Sequence, residues 1–413
     1  MFVDDVALWL SGQDTGDVIS RLNRDLSTIY GWAVFNSVVF DFKKFHLFDL
    51  GKQSLAKDLR AQVTFGPGTP PWSASAMYLG LLLDHKLSFV SMMSRVYDRL
   101  TDRTRIFRLF NHTNRSSGAS PRTLEIIFKI WFLPVFEYAS PIWIFRIRDF
   151  RLFHVSAPLL RSHSTAFSRL NTFYMKCAKN ILGVPPGTGN FAVLVRLGWL
   201  PLDYHLAYRA CLWYLRIIHG EAGQRVKKLV FDTYAEDELW SNTCFFKPAF
   251  LLLTRLGRVL GVDLFSCPKK DRANLIRKAM FVELTSYWNS MSLSILTRRI
   301  HPIWEERVLN RSMKCKLANS YYHRYALNRG PSNELLFNWQ KCDSPLCRSG
   351  CGIVENIDHI FIDCCHNEHL RIELRSICLK NNITFSVQSI FSNPKLQEAT
   401  ERFISRFHKI RNT

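Results

Sequence analysis

Apolar residues recur at helical spacing along most of this chain and read as strands only in its first ninety residues. After a polar turn at 11–15, Asp17 opens a run in which Val18, Leu22, Leu26, Ile29 and Ala33 share one face. Phe35 to Phe48 reads as strands around a turn, with Lys43-Lys44 between apolar neighbours. Gly66-Pro67-Gly68-Thr69-Pro70-Pro71 breaks regular structure. An apolar strand then begins at Tyr78-Leu79-Gly80 and runs through Asp84 towards Leu87. From Val90 to Gly220 the pattern is helical. Ser120 is an N-cap with Pro121 at the first helical position, leading into Leu124, Ile127, Phe128 and Trp131, and Pro134 ends or kinks that helix. Leu170, Phe173, Tyr174, Cys177 and Ile181 form an apolar face that stops at Gly183 and Pro185-Pro186, while Arg169, Lys176 and Lys179 occupy the other face. Pro201-Leu202-Asp203 starts a helix carrying Leu206, Ala210, Trp213 and Ile217. Residues 221–317 are helical in pattern, with Phe and Trp at core spacing and no assignable chemistry. The expected fold class is α+β and mostly α-helical.

Composition sharpens the picture in two places. A chain of 413 residues with 47% apolar and 13% aromatic residues forms two or three domains with sizeable cores, which excludes general disorder. Its 55 Lys and Arg against 34 Asp and Glu give +21 and a pI near 9.7, an excess that favours a polyanion through counterion release. A membrane surface is the rival partner, but no basic amphipathic helix stands apart from the body. The most apolar window, Ile126 to Phe145, is interrupted by Lys129, Pro134, Glu137 and Pro141, so it reads as a buried helix and turn and not a bilayer span. Asp4 and Asp5 sit where a secretory signal would be positively charged. The 11 cysteines are an odd number, several of them single in apolar helical segments, which suits a reducing compartment and one local metal cluster.

Two stretches carry candidate chemistry. Phe2-Val3-Asp4-Asp5-Val6-Ala7-Leu8-Trp9 sets adjacent carboxylates between apolar residues, as at the tip of a β-hairpin. Alternation sends the pair to opposite faces, so one Asp can meet a metal-filled cleft. Mg²⁺ prefers oxygen ligands, and phosphoryl transfer uses paired Mg²⁺ ions. The same pair also suits a turn cap. Near the other end, Cys347-x3-Cys351-x7-His359-x4-Cys364 supplies three thiolates and an imidazole, the donors Zn²⁺ takes in a tetrahedron. Gly350 and Gly352 flank Cys351 for a tight turn, a helical turn from Asp358-His359 to Cys364 joins the last two ligands, and Cys342 and Cys365 are spare thiols able to replace a neighbour. Arg371 and Arg375, just beyond, suit phosphates.

Phe2-Val3-Asp4-Asp5 with Val6-Ala7-Leu8 resembles the aromatic-x-Asp-Asp motif of reverse transcriptases, nearest to those of non-LTR, LINE-type and jockey-like retrotransposons. Tyr78-Leu79-Gly80 to Asp84 and Leu87 resembles the primer grip of that family. Glu137-Tyr138-Ala139 to Trp143, Leu182-Gly183-Val184-Pro185 and Leu197-Gly198-Trp199 resemble its thumb, and Ser344-Pro345-Leu346-Cys347 to Cys364 resembles its C-terminal zinc knuckle. The resemblance implies that Asp4 ligates a catalytic Mg²⁺ with Asp5 assisting. It implies that Lys44, or alternatively Lys43, approaches the incoming triphosphate, and that Tyr78, Leu79 and Gly80 brace the primer. Arg169, Lys176 and Lys179 would track the template-primer backbone. Fingers, most of the palm and a further catalytic Asp precede this motif in the family, so this sequence is expected to be the C-terminal part of such a polymerase and inactive alone.

The expected organisation is a palm remnant at 1–60, primer-grip strands at 61–90, a helical thumb at 91–220 and a helical connector at 221–335. A CCHC-type zinc knuckle at 336–375 and a basic tail at 376–413 complete it. The expected function is RNA-directed DNA synthesis by the parent element, with an RNA template, a DNA target or primer, Mg²⁺ and Zn²⁺, no membrane, and a ribonucleoprotein of nucleus and cytoplasm. A non-catalytic nucleic-acid-binding protein and an inert element remnant are the alternatives.

Overall fold

The computed structural model describes residues 7–50, 57–110, 119–146, 165–228, 246–290, 295–305 and 316–412. Its secondary structure is mostly helical, with one two-stranded sheet, and among the described residues no helix is long and apolar enough to cross a membrane. The chain divides into two compact units, one of Met1–Val96 with Arg146–Asp149 and one of Tyr97–Phe145 with Phe150–Thr413.

In the first unit, α1 (Thr15–Phe35) is capped by Asp14, whose carboxylate accepts from the amides of Gly16 and Asp17. The cap therefore lies three residues before the expected Asp17. This unit is organised on Phe65, which is buried and meets the rings of Tyr30, Phe40, Phe42 and Phe45 at 4.8–5.8 Å. That cluster explains why the strands expected at 35–48 do not form. Phe40 and Phe42 match a two-residue alternation but Phe45 does not, and a 3-10 turn at Phe42–Lys44 brings all three onto Phe65. After α2 (Lys57–Ala61), strands β1 (Ser75–Tyr78) and β2 (Leu81–Asp84) form an antiparallel hairpin with Tyr78 opposite Leu81. Leu79 and Gly80, expected inside a strand, are the turn itself, at φ 47° and 76°. Two positive φ values in a two-residue loop are the type I′ geometry that matches strand twist. Asp84 then caps the loop into α3 (Val90–Phe110), accepting from the amides of Lys86, Ser88 and Phe89.

The second unit holds the larger core. Ser120 and Pro121 start α4 (Pro121–Ile127), with the Ser120 hydroxyl accepting from the Thr123 amide. A π-helical turn at Phe128–Phe132 leads into α5 (Leu133–Glu137). Its wider turn accommodates Pro134, whose ring would otherwise strike a carbonyl of the preceding turn. Then come α6 (Ser140–Trp143), α7 (Thr165–Leu182), α8 (Asn190–Leu197) and α9 (Leu202–Ile218). Leu170, Phe173, Tyr174, Cys177 and Ile181 are all buried, as their spacing requires. Trp199 stacks on Phe128 at 4.7 Å and donates to Glu125, a fully buried carboxylate that Arg122 and Lys129 also hold. Glu137 takes His205 at 2.8 Å and Arg209 at 3.6 Å.

Next are α10 (Phe246–Leu260), α11 (Lys269–Ser290), α12 (Ile295–Ile300), α13 (Lys316–Ala326) and α14 (Asn333–Asn338). The last stretch, expected as a basic tail, is folded instead into α15 (Glu368–Lys380), α16 (Val387–Ser392) and α17 (Gln397–Asn412). Leu370, Leu374, Val387, Ile390, Phe391, Phe403 and Ile404 share a core with Tyr325, Ile357, Ile360 and Phe361. Arg402, half exposed, pairs with Glu373 and Glu398 at its edge. Arg196 of α8 fastens this core to the preceding helices, donating to His323 Nδ1 at 3.2 Å and to the Phe391 carbonyl at 2.7 Å.

Candidate metal centre

The Cys347–Cys364 segment is built from a short hairpin-like loop and a π turn. Leu346 bridges Val354, the Cys347 amide donates to the Ile353 carbonyl at 2.8 Å, and the Gly350 amide returns to Cys347 at 3.1 Å. Gly350 and Gly352 stand at φ 81° and 68°, a region that side chains with a Cβ rarely adopt. The loop therefore needs its two glycines to fold back, and folding back sets Cys347 and Cys351 side by side. The second pair of donors comes from the turn at His359–Asp363, a π turn closed by the Cys364 amide on the His359 carbonyl at 2.8 Å. Asn356 anchors its start by accepting from the His359 amide. Ile360 and Phe361, between the two ligand positions, are buried in the core, which fixes the turn from behind.

Cys347, Cys351, His359 and Cys364 each present a donor atom, and the four atoms lie within 4.8 Å of one another. The sulfur of Cys364 is 3.9 Å from that of Cys347 and 3.7 Å from that of Cys351. A tetrahedral ion with metal–sulfur bonds of about 2.3 Å has sulfur–sulfur edges of about 3.8 Å. Both nitrogens of the buried His359 ring lack a hydrogen-bond partner, an arrangement a structural histidine rarely tolerates. Burial holds the imidazole below its usual pKa and so in the neutral form that ligates. Burial and the crowded sulfurs push the Cys351 thiol up to about 12, and a dication reverses that preference by binding the thiolate. The donor set fits a metal such as zinc. Cys342 lies elsewhere, its thiol directed to the carbonyls of Asn333 and Ser344.

Around the cluster, Arg371 is 1% exposed and donates to the Cys364 carbonyl and to Glu368. Its guanidinium braces the ligand turn from within and is closed to a phosphate, a correction to its expected role. Arg375 is half exposed, at 3.2 Å from Glu368. Arg411 also reaches this segment, pairing with Glu355 at 3.0 Å, and that contact carries no sequence signal because its partners lie far apart in the chain.

Of the remaining expected positions, Asp4 and Asp5 lie outside the described residues. Lys44 is exposed on its 3-10 turn, and the side chain of Lys43 is outside the described residues. Tyr78 ends β1, and Leu79 and Gly80 are the hairpin turn. On α7, Lys176 is exposed and Arg169 is exposed with its guanidinium 4.1 Å over the Tyr97 ring. Lys179 is partly buried and donates to the Pro186 carbonyl at 2.6 Å, and burial lowers its pKa. The expected basic face is thus narrower than its three residues imply. Comparison with family models, with curated proteins and with solved structures finds no match to this chain.

Proposed function

We propose that this chain is the C-terminal part of the RNA-directed DNA polymerase of a non-LTR retrotransposon, and that its described residues serve to hold nucleic acid. The observation that carries the reading is the cluster of Cys347, Cys351, His359 and Cys364, with both nitrogens of a buried imidazole unbonded, in a chain of charge +21. Zinc is the metal of this reading, because three thiolates and a neutral imidazole suit it and Mg²⁺ takes oxygen donors. The order of motifs supports the polymerase parentage: Asp4-Asp5, then Tyr78-Leu79-Gly80, then Glu137-Tyr138-Ala139, then the cysteines. In the parent enzyme Asp4 and Asp5 would share two Mg²⁺ with a carboxylate that the family carries ahead of this motif. Positioning and charge neutralisation by those ions supply most of phosphoryl transfer.

A second reading, a nucleic-acid-binding protein without catalysis, is favoured by one observation. The metal segment shares a core with α13 and α15 to α17, to which Ile300 of α12 also contributes, so the segment is packed without any catalytic residue. Both readings are tested by fluorescence anisotropy of labelled single-stranded RNA and duplex DNA at two salt concentrations, with native chain and His359→Ala. We expect sequence-tolerant binding that weakens steeply with salt and is reduced in the variant. Binding indifferent to both salt and His359 would overturn the nucleic-acid role.

A further inference from the structure

We propose that Cys351, Cys365 and His366 hold a second soft dication beside the first, with the Cys351 thiolate bridging the two ions. The proposal rests on reading Cys347, Cys351, His359 and Cys364 as the first metal site.

Cys364 and Cys365 are neighbours in the chain with opposite fates. Cys364 is buried and faces the first cluster, whereas Cys365 is exposed. The 3-10 turn at Cys365–Asn367 makes the difference, tied down by the Asn367 amide on the Cys364 carbonyl and by the Asn367 side chain on the Ile360 carbonyl, each at 3.1 Å. This turn leaves Cys365 and His366 on the outer side of the cluster. The sulfur of Cys351 is 3.7 Å from that of Cys364 and 3.8 Å from that of Cys365. Both separations match the edge of about 3.8 Å that metal–sulfur bonds of about 2.3 Å impose on a tetrahedron. Cys351 is therefore a corner shared by two candidate tetrahedra. The donor atoms of Cys351, Cys365 and His366 also lie within 4.8 Å of one another.

Charge favours the pair of ions. One dication on three thiolates leaves a net charge of −1 and an idle thiol at Cys365. Two dications on the thiolates of Cys347, Cys351, Cys364 and Cys365 are neutral. The bridging sulfur lies between the cations and screens their repulsion. The inner ion has four protein donors and is partly buried, so it is the structural one. The outer ion has three protein donors, and the exposure of Cys365 and His366 leaves its fourth position to water or a small ligand, the arrangement of sites that exchange ligands.

The test uses the full chain, stripped of metal under reducing conditions and titrated with Cd²⁺ as a thiophilic probe, with ions per chain counted by native mass spectrometry. We expect two ions at saturation, the second removed first by a competing chelator. Cys365→Ser and His366→Ala should each lower the count from two to one, and Cys342→Ser should leave it at two. Cys365 and His366 are exposed, and an unchanged far-ultraviolet circular dichroism spectrum confirms that their variants fold. One ion in the native chain, unchanged by Cys365→Ser, overturns the second site and leaves the first standing. Loss of all binding in Cys365→Ser also overturns it, because Cys365 would then belong to the inner site. No ion bound to the native chain overturns both sites.

Discussion

Arg411 and Glu355 form an ion pair 3.0 Å apart with side chains only 8% and 5% exposed. It joins the last helix to the loop that carries Cys347 and Cys351. Glu355 also accepts from the Asn333 amide at 3.0 Å, and Arg411 donates to the Asn333 side chain at 2.7 Å. Removing one partner of a buried pair strands the other charge, at a cost of about 3–5 kcal/mol. Arg411→Met should therefore lower stability by about that amount in urea unfolding, and adding Glu355→Gln should recover part of it. A loss within experimental error would show that the pair is not buried in solution.

Arg371 and Arg375 should separate in the same kind of experiment. Arg371 holds the Cys364 carbonyl from a buried position, whereas Arg375 reaches Glu368 and the face of the Phe385 ring from a half-exposed one. Arg371→Met is expected to destabilise the chain and weaken metal retention against a chelator. Arg375→Met should change stability by less than about 1 kcal/mol, the range of exposed pairs. Equal effects of the two substitutions would contradict the bracing role.

These two pairs mark where sequence reading stops. The face of α7 was legible because burial follows a fixed period and each residue its spacing selects is buried, whereas Trp131, expected on the run with Leu124 and Phe128, is 44% exposed in the π turn. The metal ligands were legible because donor type and spacing are local. The first unit was misread where packing overrode periodicity: Phe45 breaks the alternation of Phe40 and Phe42 to reach Phe65, and Leu79-Gly80 is a turn inside an apolar run. The basic residues were the least legible. Charge alone does not tell an arginine in solvent from one such as Arg371, Arg411 or Arg196, whose guanidinium replaces solvent with buried carbonyls, carboxylates and imidazoles.

Asp203 gives a pH prediction. Burial in the first turn of α9 pushes its carboxyl up to about 7, despite a bond from the Tyr204 amide. In the unfolded chain the group titrates at about 3.9. Its folded pKa is thus the higher one, so the contribution is full below about pH 4 and is lost as pH rises towards 7. Asp203→Asn should remove that decline, and the difference in melting temperature between variant and native chain should grow in the variant's favour from pH 4 to 7. A difference that stays flat across this window would count against a buried, protonated Asp203.

Primer extension tests the parentage from the catalytic side. On the proposed reading, Asp4 and Asp5 would be two carboxylates of a set that the resembled polymerases complete with a third, each Mg²⁺ taking ligands from both places. The chain by itself should show no template-dependent synthesis on RNA with Mg²⁺. Extension that disappears in Asp4→Ala would sink this expectation and place a complete catalytic centre in these residues.

Removing the inner metal should loosen one loop and spare the helices around it. From Pro345 to Cys364 the sequence alone offers too few apolar residues for a turn-rich segment to hold without a staple, which predicts unfolding of the whole segment. The core narrows that outcome. Ile357, Ile360 and Phe361 are buried against Tyr325, Phe391 and Phe403, with Phe361 stacked on Phe403 at 4.8 Å. The π turn thus has packing of its own, while the loop bearing Cys347 and Cys351 exposes Leu346, Ile353 and Val354 and relies on its sulfurs and a few backbone bonds. Structural zinc contributes folding energy where the apo chain cannot close the site. Chelation should therefore accelerate amide hydrogen exchange at 346–354, most clearly at Cys347 and Gly350, whose amides close the loop. Exchange in α15 and α17 should change little. His359→Ala should reproduce the chelated pattern without a chelator, and Cys378→Ala, a buried thiol outside the ligand cluster, should not. Uniform acceleration across 316–412 would mean that metal and core form a single cooperative unit, and no acceleration at 346–354 would mean that no metal staples the loop.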